Sequence, residues 1–340
     1  MALKFKVAGK TDIGLVRAGN EDYLHLDREH QVFAVCDGMG GHQAGEVASM
    51  TASQMMSTIF SGFRDELLAD PDVSFDHTLP PTGELLLKSI RFANREIHNR
   101  AAANPEQSGM GTTVVAIALE GDAMSVAHVG DSRAYRIGEN SLEPLTADHS
   151  WIEEMKRKNL MNGMNEADMP GKNVITRALG VRSNVEVDYS LVKIKPGDRF
   201  MLCSDGLCGF ADDEQIFSVI KEAGDDVEKI CDKLVQLAND LGGSDNVTII
   251  SLEVMEVGSS NYNEMEPFTL DAEGNELLAI EDRWLVRINE YLQERESPDP
   301  PKPEGGPGGK SKGWLFLIFL LFAVVAVAII YMASSELGLE

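Results

Sequence analysis

The sequence predicts an α+β domain, with antiparallel β-sheets and helices packed outside them, followed by one membrane-spanning helix. Short β-rich runs and helical patterns follow each other without the regular alternation that a parallel α/β sheet requires. Near the C-terminus, 19 consecutive residues carry no charge, which is typical of a membrane span. The chain has 340 residues, 43% of them hydrophobic, so it is long enough to bury a large core.

Five β-rich apolar runs predict strands, and they cover residues 31–36, 113–119, 124–129, 199–203 and 246–254. Apolar residues at three- and four-residue spacing predict helices over residues 45–60, 84–101 and 226–241. Asp212 is a typical N-cap for a further helix at 213–222.

Composition divides the chain into four parts: residues 1–256, a polar segment 257–313, an apolar run 314–332 and a short tail 333–340. The first part is expected to form the folded domain. The polar segment ends in a Pro/Gly linker that has too little apolar surface to pack a core.

Within the polar segment, residues 282–293 place large apolar side chains on one stripe of a helix, among them Trp284, Ile288 and Leu292. This stripe either packs on the domain that precedes it, which we favour, or docks a membrane partner.

The apolar run 314–332 has Trp314 and Tyr331 near its two ends, where interfacial aromatic residues lie. As a helix it is about 28 Å long, close to the thickness of a bilayer core. Lys310 and Lys312 precede it, so the positive-inside rule places the preceding domain in the cytoplasm. We expect a single-pass protein of the inner cell membrane, with a buried core helix as the alternative.

The composition disfavours several other classes of protein. The net charge of −25, from 30 Lys+Arg against 55 Asp+Glu, is unsuited to nucleic-acid phosphates, so no nucleic-acid partner is expected. The four cysteines form no C-x-x-C pair, which argues against a disulfide framework or a zinc site. No signal peptide is expected, because the N-terminus lacks an apolar segment.

Four aspartates, Asp37, Asp131, Asp205 and Asp245, each lie where an apolar strand meets a Gly-containing turn. Carboxylates crowded at one sheet end would repel each other, and a hard divalent cation would remove that repulsion. Oxygen ligands suit Mg²⁺ or Mn²⁺ rather than Zn²⁺. The alternative is that Asp-Gly is ordinary turn chemistry.

A second polar cluster contains Arg17, Asn20, Glu21 and Asp22. A guanidinium group can bind a phosphate through two parallel hydrogen bonds. Glu21 and Asp22 could hold water molecules around a metal ion. Taken alone, the cluster is more typical of a solvated loop than of a binding site.

Eight stretches of the chain carry a family resemblance: TDIGLVRAGNED (11–22), VFAVCDGMGGHQAGEVAS (32–49), GMGTTVVA (109–116), AHVGDSRAYR (127–136), TADHS (146–150), NVITRALG (173–180), LCSDGL (202–207) and GGSDNVT (242–248). Together they resemble the protein phosphatase 2C (PPM) family, in its bacterial branch, which opposes Ser/Thr protein kinases. The resemblance covers about residues 5–255, in the family's order and spacing.

The resemblance implies a central antiparallel β-sandwich flanked by α-helices on both faces, with two or three Mn²⁺ or Mg²⁺ ions at one end. Arg17 would bind the substrate phosphate, and Glu21 and Asp22 would act through metal-bound water. Residues 148–180 would form a flap beside the site. The implied metal ligands are Asp37, the Gly38 carbonyl, Asp131, Asp205 and Asp245.

The implied activity is hydrolysis of phosphoserine and phosphothreonine in proteins by a metal-activated water, opposing a cognate Ser/Thr kinase at the membrane. One position departs from the pattern of the animal members of the family. In those proteins a histidine that is proposed to act as a general acid directly follows Asp-Gly. Here Met39 occupies this position and His42 comes three residues later, so the group that protonates the leaving group stays open. The alternatives are a phosphoprotein-binding scaffold and a phosphohydrolase for nucleotides or second messengers.

Overall fold

The computed structural model describes residues 3–41, 44–73, 78–158, 174–270 and 275–296. The strands are β1 (Lys4–Asp12), β2 (Asp22–Asp27), β3 (Val32–Met39), β4 (Gly111–Thr112), β5 (Val114–Glu120), β6 (Ala123–Val129), β7 (Arg133–Ile137), β8 (Leu142–Pro144), β9 (Val187–Lys193), β10 (Arg199–Cys203), β11 (Val247–Glu256) and β12 (Met265–Leu270). The helices are α1 (Ala44–Thr58), α2 (Arg64–Ala69), α3 (Pro81–Ala103), α4 (Trp151–Arg157), α5 (Asp205–Cys208), α6 (Asp213–Ala223), α7 (Val227–Asp240) and α8 (Asn275–Glu296).

The strands form two antiparallel sheets. The smaller has the order β1-β11-β10-β7-β8, and the larger has the order β12-β9-β6-β5-β3-β2, with β4 paired to β3. Side chains from both sheets meet in one buried core, which includes Val7, Phe200 and Ile250 from the smaller sheet and Phe33, Val35 and Ile117 from the larger. The predicted antiparallel architecture is confirmed, and so is the sandwich that the resemblance implies.

Helices cover both outer faces of the sandwich. Helices α1 and α3 pack on the larger sheet, and α7, with α6 against it, packs on the smaller. A second core lies between α6, α7 and the smaller sheet, with Ile220, Leu234 and Ile249 fully buried in it. Asp212 is the predicted N-cap of α6, since its carboxylate accepts a 2.8 Å hydrogen bond from the Gln215 backbone N–H.

The predicted helix 282–293 lies inside the longer helix α8. The chain divides into two units after Tyr291, and the contacts of α8 described here belong to the first unit. Trp284, Leu285 and Ile288 are buried, and the Trp284 ring meets Phe63 edge-to-face at 6.2 Å. The apolar stripe therefore packs on the preceding domain, which is the alternative that we favoured.

No helix within the described ranges is both long and apolar enough to cross a membrane. The predicted span 314–332 and the tail 333–340 lie outside the described residues, as do the linker 297–313, His42 and the middle of the flap, 159–173.

Candidate metal centre and active site

Two of the predicted site aspartates face each other across neighbouring strands. Asp22 begins β2 and lies directly opposite Asp37, near the end of β3. The next backbone N–H along β3, that of Gly38, donates a 3.1 Å hydrogen bond to the carbonyl oxygen of Glu21. The RAGNED segment and the Asp-Gly turn are therefore held side by side at one edge of the larger sheet.

The smaller sheet brings the remaining aspartates to the same edge. Cys203, the last residue of β10, is paired with Ile249 of β11 and with Arg133 of β7. Asp205 follows this strand end directly, and Asp245 precedes the start of β11. Asp131 lies in the connection by which the chain passes from β6 in the larger sheet to β7 in the smaller.

The two sheets bring the carboxyl groups of Asp37 and Asp205 close together at this edge, where the charge of each affects the other. Burial, with the nearby charges of Asp22 and Asp205, raises the pKa of Asp37 well above its usual range. Burial and the charge of Asp245 also raise the pKa of Asp205. The crowding that the sequence predicts is present in the structure.

Two further aspartates of the cluster are also shifted. Burial, with the charges of Asp205 and Asp245, raises the pKa of Asp22 to about 7. Burial and the charge of Asp205 raise the pKa of Asp131 to about 7 as well. Carboxyl groups that all resist ionisation are typical of a cation-binding or catalytic site.

Arg17 contacts the fourth predicted aspartate. Its Nη2 lies 2.7 Å from Oδ2 of Asp245, and the Arg17 and Asp245 side chains are 46% and 25% exposed. The guanidinium group therefore lies at the open side of the carboxylate cluster and keeps contact with solvent. An anion that approached the cluster would meet this positive charge first.

Glu21 completes the acidic lining. Its Oε1 is buried and has no hydrogen-bond partner within the described ranges, and burial raises the pKa of the Glu21 carboxyl group. A buried carboxylate oxygen without a partner is costly, and a cation or its bound water would satisfy it. The oxygen-only donors and the excess of negative charge fit Mg²⁺ or Mn²⁺.

The glycines after Asp37 and Asp205 are required by close backbone approach. A Cβ atom on Gly38 would lie 2.2 Å from the carbonyl oxygen of Gly45, and one on Gly206 would lie 1.9 Å from that of Asn246. Both distances are shorter than any tolerable contact. Glycine therefore lets the two Asp-Gly turns pack directly against neighbouring backbone.

Several residues that hold the site were not predicted. Asn246 donates from Nδ2 to the carbonyl oxygens of Ile13 and Gly19 and accepts from the Glu21 N–H at 2.8 Å. Ser204 donates to Oδ2 of Asp22 at 2.8 Å. The only local signals were their positions beside Asp245 and Asp205.

Thr113 connects Asp37 to the turn that carries Asp131. The backbone N–H of Thr113 donates to the Asp37 carbonyl oxygen at 2.8 Å, and its Oγ1 accepts from the Asp37 N–H at 3.1 Å. The same hydroxyl lies 2.8 Å from Oγ of Ser132, the residue after Asp131. One buried threonine thus positions two of the predicted ligands.

Comparison with known proteins decides the family. Residues 10–247 match the model of the family described as "Protein phosphatase 2C". The chain belongs to the protein phosphatase 2C family. It is therefore a phosphatase by descent, and the predicted resemblance is confirmed.

Individual members of the protein phosphatase 2C family agree. The serine/threonine phosphatase stp of Listeria welshimeri is 34% identical over 247 residues, which cover 72% of this chain and 94% of that protein. The catalytic domain of the phosphatase PstP, solved in complex with two manganese ions, is similar with a TM-score of 0.62 at 30% identity, over 75% of this chain and all of that one.

A third relative is PppA, described as a key regulatory component of T6SS in Pseudomonas aeruginosa. Its structure matches with a TM-score of 0.61 at 30% identity and covers 74% of this chain and 98% of that one. The protein phosphatase 2C fold therefore accounts for about the first three quarters of the chain.

The described ends of the predicted flap of this phosphatase are tied to the Asp131 turn. Arg133 binds both carboxylate oxygens of Asp148 at 2.8 and 2.7 Å. The backbone N–H of Gly130 donates to Nδ1 of His149 at 3.0 Å. The start of the flap is therefore bonded directly to the turn that carries Asp131.

A second group of potential metal ligands lies behind this turn. One ligand atom from each of His128, His149 and Asp188 falls within 4.8 Å of the others. Arg177, however, already binds Asp188 at 2.8 Å and lies 3.1 Å from Nε2 of His149.

The geometry of this group favours hydrogen bonding over metal binding. The rings of His128 and His149 are stacked 4.5 Å apart and nearly parallel, so their in-plane lone pairs do not converge on one point. Nε2 of His128 donates a 2.8 Å hydrogen bond to the Ala147 carbonyl oxygen, so this nitrogen has no lone pair for a metal ion. Arg177 neutralises Asp188, and we assign the group to anchoring the flap.

Proposed function

We propose that this chain hydrolyses phosphoserine and phosphothreonine in proteins, with Mn²⁺ or Mg²⁺ bound by the carboxylate cluster. The observation that supports this most is the crowding of Asp37 with Asp22, Asp131 and Asp205, with Arg17 and Asp245 at the open side of the cluster. These side chains come from distant parts of the chain, and their crowding is costly unless a cation offsets it.

In this proposal Asp37, the Gly38 carbonyl, Asp131, Asp205 and Asp245 hold two or three divalent cations. Bound cations of this kind supply a water molecule of lowered pKa and offset the charge of the phosphate.

The protein's own groups position the ester beside those cations. Arg17 binds the phosphate oxygens through its guanidinium fork, where charge builds up during phosphoryl transfer. The buried carboxyl oxygens of Glu21 and Asp22 that have no hydrogen-bond partner in the described residues would accept hydrogen bonds from water bound to the cations. Asn246 keeps their loop in place through its bond to the Glu21 N–H.

Substitution of two ligands tests this proposal. Asp37→Asn or Asp245→Asn is expected to abolish Mn²⁺-dependent release of phosphate from a phosphothreonine peptide, because each removes a charge from the cation site. Asp232→Asn is the matched control, since that aspartate is 63% exposed and pairs with Lys10 on the outer surface. Retained activity in a folded Asp37→Asn or Asp245→Asn protein would disprove the metal centre.

Two further measurements separate the remaining alternatives. Turnover of p-nitrophenyl phosphate that is lost on chelation excludes a scaffold that only binds phosphoproteins. Comparison of rates on phosphopeptides with rates on nucleotides and cyclic dinucleotides distinguishes a protein phosphatase from a phosphohydrolase of small molecules.

We further propose that residues 314–332 anchor the enzyme in the inner membrane with its catalytic domain in the cytoplasm. The support is the uncharged 19-residue run with Lys310 and Lys312 on its N-terminal side. The full chain is expected in the membrane fraction after an alkaline wash, whereas a chain ending at Glu296 is expected in the supernatant. Equal partition of the two chains would refute the anchor.

A membrane-held phosphatase would act on substrates at the same surface, because tethering raises their effective concentration. We propose that it opposes a Ser/Thr protein kinase there. Deletion of the gene is expected to raise phosphorylation of serine and threonine in membrane-associated proteins above that in cytosolic ones. A uniform rise, or none, would contradict this assignment.

A further inference from the structure

Three large apolar side chains in the loop before Arg17 are exposed. Ile13 is 40% exposed, Leu15 68% and Val16 69%. Single exposed apolar residues are ordinary on protein surfaces. Three within four consecutive positions form a contiguous patch, and such patches mark interaction sites. Residues 13–16 are called the apolar loop below.

Hydrogen bonds hold the backbone of the apolar loop in place. The Ile13 carbonyl oxygen accepts a 2.9 Å bond from Asn246 Nδ2. The Gly14 N–H donates to Oδ1 of Asp12 at 2.9 Å, and the Leu15 N–H donates to the Gly243 carbonyl oxygen at 2.7 Å. The exposure of the side chains is therefore a property of the folded loop rather than of local fraying.

The apolar loop and Arg17 lie on the same turn. Leu15 covers Gly243, because a Cβ atom on Gly243 would lie 2.7 Å from Leu15 Cγ. Arg17 reaches Asp245, two residues further along, at 2.7 Å. Two residues of chain span at most about 7 Å. The apolar loop therefore lies within reach of the residues that neighbour, in the substrate sequence, a phosphorylated side chain bound at Arg17.

We propose that the apolar loop binds the residue next to the phosphoserine or phosphothreonine of a protein substrate, and that the enzyme prefers a large apolar residue there. This inference rests on the proposed function. The net charge of −25 disfavours acidic flanking residues through repulsion. Contact between apolar side chains removes their surface from water and is favourable.

The test uses two pairs of phosphothreonine peptides. In the first pair the residue before the phosphothreonine is Leu in one peptide and Ser in the other. In the second pair the residue after the phosphothreonine differs in the same way. The measured quantity is the ratio of kcat/KM for the Leu peptide to that for the Ser peptide. For one of the two positions, the full chain is expected to show a ratio of about ten or more, the range for a few methylene groups in a pocket. The double variant Leu15→Ser/Val16→Ser is expected to bring it close to one.

Val286→Ser is the control, because Val286 is 58% exposed on α8 and should leave the ratio unchanged. A ratio near one at both positions in the unaltered chain, or a ratio that persists in the double variant, would overturn the inference. The inference would also be overturned if the unaltered chain were a dimer in gel filtration and the double variant a monomer. The apolar loop would then be covered by a second copy of the chain. If the unaltered chain still hydrolyses the phosphothreonine peptides with Mn²⁺ in any of these cases, the proposed function stands although the preference for an apolar neighbour does not.

Discussion

Asp37 on β3 lies directly opposite Asp22 on β2, and burial together with the charge of Asp22 raises the pKa of Asp37 well above its usual range. Crowded carboxyl groups with raised pKa values keep protons at a pH where isolated carboxyl groups have lost them, because neighbouring carboxylates repel. The metal-free centre therefore stores protons, and a cation that binds there must displace them.

Binding of Mn²⁺ is thus expected to release protons. When Mn²⁺ is added to metal-free protein in weak buffer at pH 6, a pH indicator should report release of about one proton or more per chain. Asp37→Asn removes one of the carboxyl groups with a raised pKa and should release fewer protons. Binding of Mn²⁺ by the unaltered protein at pH 6 without proton release would contradict the raised pKa values.

The stability of the metal-free protein should fall as pH rises. Burial and the charge of Asp205 raise the pKa of Asp131 from 3.8 to about 7, so the folded state holds a proton that the unfolded state has lost between these values. The resulting stabilisation is complete below about pH 4 and disappears as pH rises through about 7.

Asp131→Asn isolates this contribution, because asparagine does not titrate. The free energy of unfolding of the metal-free protein is measured in urea at pH 5 and at pH 8. Its decrease between these two pH values should be larger in the unaltered chain than in Asp131→Asn by roughly 2–3 kcal/mol. An excess of Mn²⁺ at pH 8 should restore stability in the unaltered chain. A pH dependence that is the same in both proteins would refute the raised pKa.

Substitution of Arg17 should lower turnover of phosphorylated substrate. Loss of a charged hydrogen bond costs about 1.5–3 kcal/mol, so kcat/KM of Arg17→Ala for a phosphothreonine peptide should fall roughly 10- to 150-fold. Arg17→Lys keeps the positive charge but cannot form the two parallel hydrogen bonds of a guanidinium group. Its kcat/KM should therefore lie between that of the unaltered chain and that of Arg17→Ala. If Arg17 acted only by holding Asp245, saturating Mn²⁺ would instead restore full activity.

The group formed by His128, His149, Asp188 and Arg177 should behave as a hydrogen-bond network. Arg177→Ala removes the charge that pairs with Asp188 and should destabilise the fold by about 1–3 kcal/mol. His149→Asn should leave the number of bound Mn²⁺ ions, measured by elemental analysis, unchanged. A lower metal content in His149→Asn would instead identify the group as a metal site.

The fold was predictable where strands are buried on both faces. The runs that became β3, β5, β6, β10 and β11 are rich in apolar residues along most of their length. The strands that were missed are β1, β2, β4, β7, β8, β9 and β12. Strands β4 and β8 have only two and three residues, and β1 and β9 largely alternate apolar with polar residues. In β1, Lys4 and Lys6 point outward and pair with Glu256 and Glu253 at 2.8 Å each. The polar residues of this strand are therefore as typical of a solvated loop as of a strand.

The site was predictable in its ligands but not in its supports. An aspartate before glycine at the end of an apolar run is a local signal, and it identified Asp37 and Asp205. Thr113 and Asn246 act by bonding to backbone groups that are distant in sequence. Such a role depends on which segments fold together, so it leaves no pattern in the neighbouring residues.

Helix α8 should contribute to the stability of the phosphatase domain although it lies beyond the family match, which ends at residue 247. Trp284 is 4% exposed, and its Nε1 donates to Asp70 at 2.9 Å. Trp284→Ala should therefore cost about 3–5 kcal/mol in chemical denaturation. The control Val286→Ala, at a position that is 58% exposed, should cost less than about 0.5 kcal/mol. If both substitutions had equally small effects, α8 would not stabilise the domain, and a chain ending at Leu270, which keeps β12, should then fold as stably as one ending at Glu296.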